Sequence, residues 1–331
     1  MYKRSELVIN NKNSDWPLIT VLIPTYNRRL LVQEAIASVI AQTYTSWELI
    51  VVDDGSNDGT VEAIRNIGDP RIDVVTLPHT GHIGNVFNAG AKKGKGEWLA
   101  FLGSDDIWMP RNLETQLEVL KKNKKRWVYG GYELMDENKK TIYRDTAKFI
   151  PLSGWIVKEI ILTKTGVTLC SLIVEKKLFD EIGGFCTDPR LLYRGDYELT
   201  LRMAMKAEAA VTPEVIVRVR EHAGRITKSL TDPYERSALA YEIFISQKPG
   251  REFEKLARRQ MAFQLSEASI YRFAKGENKV ALHQLIRSFW MGDSLRHWLS
   301  VLKRGIYAIF KKYFHHSAKK GKAKDVATYN T

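Results

Sequence analysis

Residues 18–60 have the sequence LITVLIPTYNRRLLVQEAIASVIAQTYTSWELIVVDDGSNDGT, and this stretch decides the fold class. The apolar run over 18–23 predicts a first strand that ends at Pro24, and the run over 47–52 predicts a second strand. Between them, apolar residues recur every three to four positions over 30–42, which predicts a helix with one apolar face. A strand, a helix and a strand in this order indicate a parallel pairing with a helical crossover.

The same alternation continues along the chain. Further strands are predicted over 72–77 and 97–102, and helices over 60–67 and 84–93. Elements that alternate in this way form an α/β architecture, a mostly parallel sheet with helices on both faces. In such sheets the binding residues lie at the carboxyl ends of the strands.

The rest of the chain is predicted to be more helical. Strands are expected near 127–133 and 167–174, and helices over 111–126, 175–182 and 196–207. From about 235 the chain is predicted to be helical and basic, with a hairpin that turns at 276–278.

The composition is typical of a globular protein. Of the 331 residues, 44% are hydrophobic, which is enough for a packed core. Cys170 and Cys186 imply no disulfide framework, so we expect ordinary small residues in a reducing, cytoplasmic setting. The first residues do not resemble a secretory signal, and no apolar run of about 18 residues predicts a membrane span.

The net charge of +13 comes from the C-terminal part of the chain. Residues 1–200 contain 26 basic and 26 acidic residues, whereas residues 201–331 contain 25 and 12. A basic region of this kind faces nucleic acid, anionic lipid or only solvent, and charge alone does not decide among the three.

Two pairs of adjacent carboxylates follow predicted strands. Asp53 and Asp54 come after the second strand, and Asp105 and Asp106 after the strand over 97–102. Neighbouring like charges repel unless a cation or a hydrogen-bond donor lies beside them. Mg²⁺ and Mn²⁺ are suitable cations, held by one or two carboxylates and substrate phosphates. A helix cap or a solvated turn is the alternative interpretation of each pair.

Two known loop motifs are excluded by their spacing. An EF-hand loop that began at Asp54 would need a glutamate at its twelfth position, where Arg65 stands. A dinucleotide-binding fingerprint needs G-x-G-x-x-G after the first strand, and residues 24–28 are PTYNR.

Four segments together resemble the family 2 glycosyltransferases, which have the GT-A fold. They are TVLIPTYNR at 20–28, ELIVVDDGSNDGT at 48–60, GEWLAFLGSDDIW at 96–108 and GGFCTDPRLLYRGDYELTLR at 183–202. The segments occur in the family's order and spacing. The resemblance implies an enzyme that transfers a sugar from a nucleotide-diphospho-sugar to a hydroxyl group and inverts the anomeric configuration.

The resemblance also implies a binding site for the donor. Pro24, Thr25 and Tyr26 match the segment that lines the nucleobase pocket, with Tyr26 placed to stack on the base. Asp54 matches the carboxylate that accepts a hydrogen bond from the ring nitrogen of the base, which favours uracil and therefore a UDP-sugar.

The metal ligands and the general base are implied in the same way. Asp105 and Asp106 match the family's DXD-type element, in which the first contacts the ribose or the metal and the second binds Mn²⁺ or Mg²⁺. His222 matches a histidine that completes the metal shell in some relatives, with a structural role as the alternative. Asp196 matches the general base, and Glu198 stands on the same turn.

Three positions depart from the family pattern. Gly103 stands where many members have an aspartate, so one possible ligand is missing. Gly195 stands where the base region often has a glutamate. Phe87 replaces an arginine before Asn88, and we assign the cationic contact with the diphosphate to His82 instead.

Basic residues near the C-terminus allow two interpretations. Arg218 and Arg220 alternate on a predicted strand, so they either face phosphates or form a solvated face. Over 286–316, apolar residues at three- to four-residue spacing are flanked by Lys and Arg, which predicts a helix in an anionic membrane interface. The alternative is a helix packed on the domain with a charged outer face.

The sequence therefore predicts four segments: an N-terminal extension over 1–16, a GT-A catalytic domain over 17–230, a basic helical region over 231–316 and a disordered tail over 317–331. The predicted function is hexosyl or N-acetylhexosaminyl transfer to a glycan or lipid-linked acceptor in surface polysaccharide synthesis. We expect a peripheral enzyme at the inner face of the cell membrane and no nucleic-acid partner. The alternative is a non-catalytic homologue that binds a nucleotide-sugar and a partner.

Overall fold

The computed structural model describes residues 17–144, 149–191, 194–222, 233–291, 298–304 and 306. The strands of this part of the chain are β1 (Ile19–Thr25), β2 (Trp47–Asp53), β3 (Ile72–Thr76), β4 (Trp98–Phe101), β5 (Ile107–Trp108), β6 (Trp127–Met135), β7 (Thr141–Arg144), β8 (Ile173–Glu175) and β9 (Ala209–Arg220). The helices are α1 (Arg29–Ile40), α2 (Thr60–Arg65), α3 (Ile83–Lys93), α4 (Asn112–Asn123), α5 (Val157–Ile161), α6 (Lys176–Glu181), α7 (Gly195–Lys206), α8 (Pro233–Ser246), α9 (Arg251–Ala274) and α10 (Asn278–Met291).

The first four strands form the parallel half of one sheet, in the order β3-β2-β1-β4. Thr25 at the end of β1 lies opposite Asp53 at the end of β2. β4 ends opposite Leu22, so the loop that follows it enters the edge where β1 and β2 also end. The register thus brings the residues after three strands to one edge, as the alternating sequence pattern predicts.

The second half of the sheet is mixed. β8 pairs antiparallel with both β4 and β6, and β9 runs parallel to β6. β5 and β7 then pair antiparallel with β9 and β6. Helices cover the sheet, and the predicted fold class, a GT-A α/β sheet with a helical C-terminal extension, is confirmed.

Alternate residues of the central strands pack into two different apolar cores. On β1, Leu22 packs into a core with α3, α5, α6 and α7, whereas Val21 and Ile23 pack into a second core with α1 and α4. A parallel strand buried on both faces needs a continuous apolar run, which explains the sequence over 18–23. Tyr241 of α8 and Met261 of α9 belong to the first core, so the C-terminal helices share it with the sheet.

The structure corrects one predicted element and confirms another. The strand expected over 167–174 is wrong in its first part, where Leu169–Ser171 forms a 3₁₀ turn. There the hydroxyl and the backbone N–H of Ser171 both donate to the carbonyl of Thr168, which closes the turn. The helical hairpin that turns near 276–278 is confirmed by α9 and α10. Within the described ranges, no helix combines the length and the hydropathy that a membrane crossing requires.

Candidate functional site

The loops after β1 and β2 are bonded to each other. The backbone N–H of Asn27 donates to Ser56 Oγ at 2.8 Å, and the side-chain oxygen of Asn27 accepts from Asn57 N at 2.9 Å. Asp53 Oδ2 accepts from Gly55 N at 3.2 Å and from Ser56 N at 3.0 Å, which closes the turn. These hydrogen bonds therefore hold the segment DDGSNDGT in one conformation along the sheet edge.

The residues predicted to hold a nucleobase lie at the same edge. Pro24 and Thr25 end β1, and Tyr26 follows them with 42% of its surface exposed. Asp54 is only 5% exposed and accepts bonds from the turn over 79–81. Among the described residues, nothing bonds to the buried hydroxyl of Thr25 or to the buried Oδ1 of Asp53, which is costly unless a ligand or water supplies a partner.

Asp105 is held by two cationic or potentially cationic side chains. Arg28 Nη1 lies 2.5 Å from its Oδ2, and Nε2 of His222 lies 3.0 Å from the same oxygen. Burial raises the pKa of Asp105, but Arg28 and His222 outweigh burial and hold the pKa below its usual value. The carboxyl group is therefore ionised at neutral pH.

Asp106 is 7% exposed and is fixed by two donors. The backbone N–H of Arg220 donates to Oδ1 at 3.0 Å, and the Cys170 thiol donates to Oδ2 at 2.9 Å. Burial and the charge of Asp106 raise the pKa of Cys170 well above its usual value, so the sulfur keeps its proton and remains a donor. Cys170, expected to be an ordinary small residue, thus orients a predicted metal ligand.

Gly103 leaves room for both carboxylates. A Cβ atom at this position would lie 2.7 Å from Asp106 Oδ2 and 3.0 Å from Asp105 Oδ1. Two carboxylate oxygens therefore converge on the open side of Gly103. A side chain at this position would require the two carboxylates to shift, so Gly103 is part of the geometry of the pair.

The side chain of Arg220 is buried, with 2% of the residue's surface exposed, so Arg220 is not part of a solvated face. Its Nε donates to the carbonyl of Asp105 at 2.9 Å and its Nη2 pairs with Glu34 at 2.5 Å. Arg218 pairs through Nε with Glu133 at 2.8 Å, so a freely solvated face is wrong for both arginines. Arg220 instead ties the acidic loop to α1.

The acidic pair suits a hard divalent ion. Among the described residues, no group of three or more His, Cys, Asp or Glu side chains is arranged to hold a metal ion. Oxygen atoms of Asp105 and Asp106 nevertheless converge, and Mg²⁺ or Mn²⁺ needs only one or two carboxylates when substrate phosphates complete its shell. His222 points Nε2 at Asp105, and in this arrangement it orients that carboxylate.

His82 is buried at the start of α3, where it caps the helix. Its Nδ1 accepts from the backbone N–H of Asn85 at 3.4 Å, and its Nε2 lies 3.0 Å from the carbonyl oxygen of Asp188. Since that carbonyl can only accept, Nε2 carries the proton. Both ring nitrogens are engaged, so a contact with a diphosphate would require the loss of one of these bonds.

Asp196 and Glu198 lie in the first turn of α7 but differ in their partners. Glu198 is buried and forms a bidentate ion pair with Arg202, with bonds of 2.7 and 2.6 Å. Asp196 is half-buried, accepts the Tyr197 N–H at 2.8 Å and forms no ion pair among the described residues. Of the two, Asp196 has the carboxylate that is free to accept a proton.

Four residues contact the predicted carboxylates in a way that the sequence did not predict: His79 beside Asp54, Arg28 beside Asp105, and Cys170 and Arg220 beside Asp106. Arg28 could have been found, because it directly follows the PTYN segment at the end of β1. The others are distant in sequence from the carboxylates they contact, and no local pattern marks these contacts.

The fold is shared with known GT-A glycosyltransferases. The structure of Staphylococcus aureus TarS in complex with UDP-GlcNAc matches with a TM-score of 0.59 at 18% identity, over 88% of this chain and 81% of that chain. The mannosyltransferase PcManGT from Pyrobaculum calidifontis, in complex with GDP-Man and Mn²⁺, matches with a TM-score of 0.56 at 18% identity, over 95% and 87%. These likenesses show that this chain has the same fold.

The sequence relatives identify the family. Residues 20–186 match the family model described as glycosyl transferase family 2. An uncharacterized glycosyltransferase of Rickettsia typhi is 31% identical over 249 residues, 73% of this chain and 76% of that protein. The chain belongs to glycosyl transferase family 2, as its four motifs predict, and it is an enzyme of the glycosyltransferase class.

Other relatives match over a smaller share of their length. This chain spans 40% of an uncharacterized glycosyltransferase of Rickettsia felis, at 31% identity. The Escherichia coli UDP-Glc:alpha-D-GlcNAc-diphosphoundecaprenol beta-1,3-glucosyltransferase WfgD is 36% identical over 121 residues, 37% of this chain and 48% of WfgD.

Proposed function

We propose that this enzyme transfers a sugar from a nucleotide-diphospho-sugar, with UDP-sugars favoured, to a hydroxyl group and inverts the anomeric configuration. The proposal rests on one observation: two groups of residues lie at the same edge of the sheet. Tyr26 and Asp54, the proposed nucleobase site, follow β1 and β2, and Asp105 and Asp106, the proposed metal site, follow β4. The TarS structure in complex with UDP-GlcNAc and the PcManGT structure in complex with GDP-Man and Mn²⁺ support a donor of this class.

Asp105 and Asp106 would hold the divalent ion, Mn²⁺ or Mg²⁺. The bound ion supplies positive charge to the diphosphate that leaves the sugar. Arg220 and Cys170 keep the Asp106 carboxylate in one orientation, and Arg28 with His222 does the same for Asp105. Partners of this kind are worth about 10- to 100-fold in metal affinity in other metal sites.

Asp196 is the proposed general base. An attacking hydroxyl must lose its proton, and a carboxylate without an ion pair can accept it. Because a single displacement needs no enzyme nucleophile, one carboxylate is sufficient and the configuration inverts, in contrast to a retaining enzyme. Glu198 is unsuitable since Arg202 occupies both of its oxygens.

The proposed acceptor is a glycan or a lipid-linked saccharide in surface polysaccharide synthesis. The relative WfgD is a UDP-Glc:alpha-D-GlcNAc-diphosphoundecaprenol beta-1,3-glucosyltransferase, which supports a lipid-linked acceptor for the present enzyme as well. An enzyme that uses such an acceptor benefits from contact with the membrane surface.

The C-terminal helices offer a surface for that contact, formed by Leu282, Ile286, Phe289 and Trp290 of α10 and by Leu299, Leu302 and Ile306, all exposed. We define these residues as the apolar face. The two parts are joined by the Trp298 ring, which stacks on Phe289 with the ring centroids 5.3 Å apart. Val301 points inward and is buried, so the segment over 298–304 has one inner and one outer side.

The proposed occupant of the apolar face is an anionic bilayer, because residues 201–331 carry the whole excess of positive charge.

Only part of the predicted membrane helix over 286–316 is described. Residues 286–291 belong to α10, and residues 298–304 are helical. The other residues of the predicted stripe, Leu295, Ile309, Phe310, Tyr313 and Phe314, lie outside the described residues, as do the predicted extension over 1–16 and the tail over 317–331.

Substitution of Asp196 by asparagine separates an enzyme from a non-catalytic binding protein. With UDP-glucose or UDP-GlcNAc, Mn²⁺ and water as acceptor, the wild-type chain should release UDP, and Asp196→Asn should release it at least about 100-fold more slowly. The nucleotide-induced shift of Tm should be retained, because Asp196 does not contact the predicted nucleobase site. Asp180→Asn, an exposed carboxylate on α6, is the matched control and should behave as the wild type. Equal UDP release by Asp196→Asn and wild type would contradict the assignment of the base.

A further inference from the structure

The predicted nucleobase site contains a side chain of the protein itself. The rings of Tyr26 and His79 are stacked, with centroids 4.0 Å apart and planes inclined by 18°. A base inserted between them would need about 7 Å, twice the roughly 3.4 Å between stacked bases. The face of Tyr26 that contacts His79 is therefore already covered.

The carboxylate of the site is also occupied. Asp54 Oδ1 accepts from the backbone N–H of Thr80 at 2.9 Å and from the Thr80 hydroxyl at 3.0 Å. Its Oδ2 accepts from the Gly81 N–H at 2.9 Å and lies 3.0 Å from Nδ1 of His79. A carboxylate has about four lone-pair sites. Thr80 and Gly81 fill three of these sites and the His79 ring stands beside Oδ2, so a ring N–H of a base can reach the fourth site only if the His79 ring moves.

His79 presents a flat ring and a ring N–H to the site, as a pyrimidine base would. Its Nδ1 is 2.9 Å from the backbone carbonyl of Asp54, which can only accept, so Nδ1 carries a proton. The ring thus stacks on Tyr26 and donates its N–H to the main-chain carbonyl of Asp54, with the carboxylate of the same residue 3.0 Å from Nδ1.

We propose that the His79 imidazole is an internal occupant of the nucleobase site, and that the donor binds by displacing it. This inference rests on the proposed function, because the displaced ring stands where the donor base would bind. The side chain of His79 is 48% exposed, so it can swing into solvent without opening the core. Gly81, with φ of +64°, lies at the end of the turn and permits the backbone to adjust.

The donor therefore binds with a lower affinity than it would to a site that His79 does not occupy. When only a fraction of the molecules has a competent site, the apparent Kd rises by the inverse of that fraction. If His79 fills the site in about nine of ten molecules, His79→Ala should bind UDP about tenfold more tightly than the wild type. His79→Phe keeps a ring on Tyr26 but cannot bond to Asp54, so its Kd should lie between the two.

The test is a calorimetric Kd for UDP in the presence of Mn²⁺, measured on the full chain with His79→Ala, His79→Phe and the control His283→Ala. His283 is exposed on α10, and its substitution should leave the Kd unchanged. The imidazole proton signals of His79, assigned in NMR spectra by their loss in His79→Ala, should shift on addition of UDP as the ring leaves Tyr26.

Two results would overturn the proposal, and they differ from a failure of the proposed function. Weaker or equal binding of UDP by His79→Ala would show that His79 does not compete with the base. An unshifted His79 signal at saturating UDP would show that the ring is not displaced. If wild type and all variants fail to bind UDP, the UDP donor site itself is wrong, and this inference falls with it.

Discussion

The carboxylates of Asp105 and Asp106 are held by four residues from three separate segments of the chain. Arg28 follows β1, Cys170 lies in the 3₁₀ turn before β8, Arg220 ends β9 and His222 follows it. Two neighbouring negative charges remain at this position because cationic groups and hydrogen-bond donors surround them. The sequence predicted the acidic pair from its position after a strand, but not the residues that hold it.

Gly103 should be sensitive to the addition of a single carbon. In Gly103→Ala, the Cβ atom would meet Asp106 Oδ2 at 2.7 Å and Asp105 Oδ1 at 3.0 Å, so both carboxylates must turn away. We expect the Mn²⁺ concentration for half-maximal nucleotide binding to rise at least about tenfold. Gly166→Ala is the matched control, because no atom lies within 4 Å of its Cβ position. Unchanged Mn²⁺ dependence in Gly103→Ala would contradict a metal site at this pair.

At the scale of elements, α7 is attached to its neighbours by two tyrosine hydroxyls. Tyr197 and Tyr241 donate to the carbonyls of Ile160 and Ile161 at 3.0 and 2.9 Å, and their hydroxyl oxygens lie 2.7 Å apart. These bonds join α7 to α5 and α8. The helix that carries Asp196 is therefore positioned by the C-terminal helices as well as by the sheet.

The same tyrosines predict a loss of stability at high pH. Burial raises the pKa of Tyr241 to about 12 from an unfolded value of about 10. The folded state thus retains its proton more strongly, so this contribution is complete below pH 10 and is lost as pH rises towards 12.

Tyr241→Phe tests this contribution. At pH 8 the variant should be less stable by about 1–2 kcal/mol, because the carbonyl of Ile161 loses its donor. The difference should shrink as pH rises from 10 to 12 in chemical denaturation experiments. A difference that stays constant over this range would contradict the raised pKa.

The elements that the sequence predicted best are those with local causes. The apolar runs and helical spacing of β1, α1 and β2 gave their positions within a few residues, because a strand buried on both faces requires such a run. The 3₁₀ turn before β8 was missed, because its apolar residues fit a strand equally well. Burial of Arg220 was also missed, since it depends on Glu34, 186 positions away in the sequence. Contacts of this kind follow from the topology and leave no local pattern.

At the scale of the whole molecule, charge and exposed apolar surface occur in the same region. The apolar face belongs to the part of the chain that carries the excess positive charge, and Trp290 is 77% exposed there. Large exposed apolar patches are typical of interaction sites. A bilayer with anionic headgroups matches both properties.

Charge placed on the apolar face should abolish membrane binding. Leu299→Asp combined with Leu302→Asp introduces two carboxylates at exposed positions and should not disturb the core. The full chain should co-sediment with vesicles that contain phosphatidylglycerol and much less with phosphatidylcholine alone, and the double variant should stay in the supernatant. Ile142→Asp, at an exposed position on β7, should bind as the wild type does. Equal sedimentation of double variant and wild type would exclude this face.

The most direct test of the account is the shift of Tm by nucleotides in the presence of Mn²⁺ or EDTA. A ligand that binds only the folded state raises its stability by mass action, by about 2.7 kcal/mol at 100 times its Kd. We predict stabilisation by UDP and UDP-sugars with Mn²⁺, a smaller effect of GDP, and loss of the effect in EDTA. Stabilisation that is independent of metal would contradict the assignment of Asp105 and Asp106, and no shift with any nucleotide would contradict the donor site as a whole.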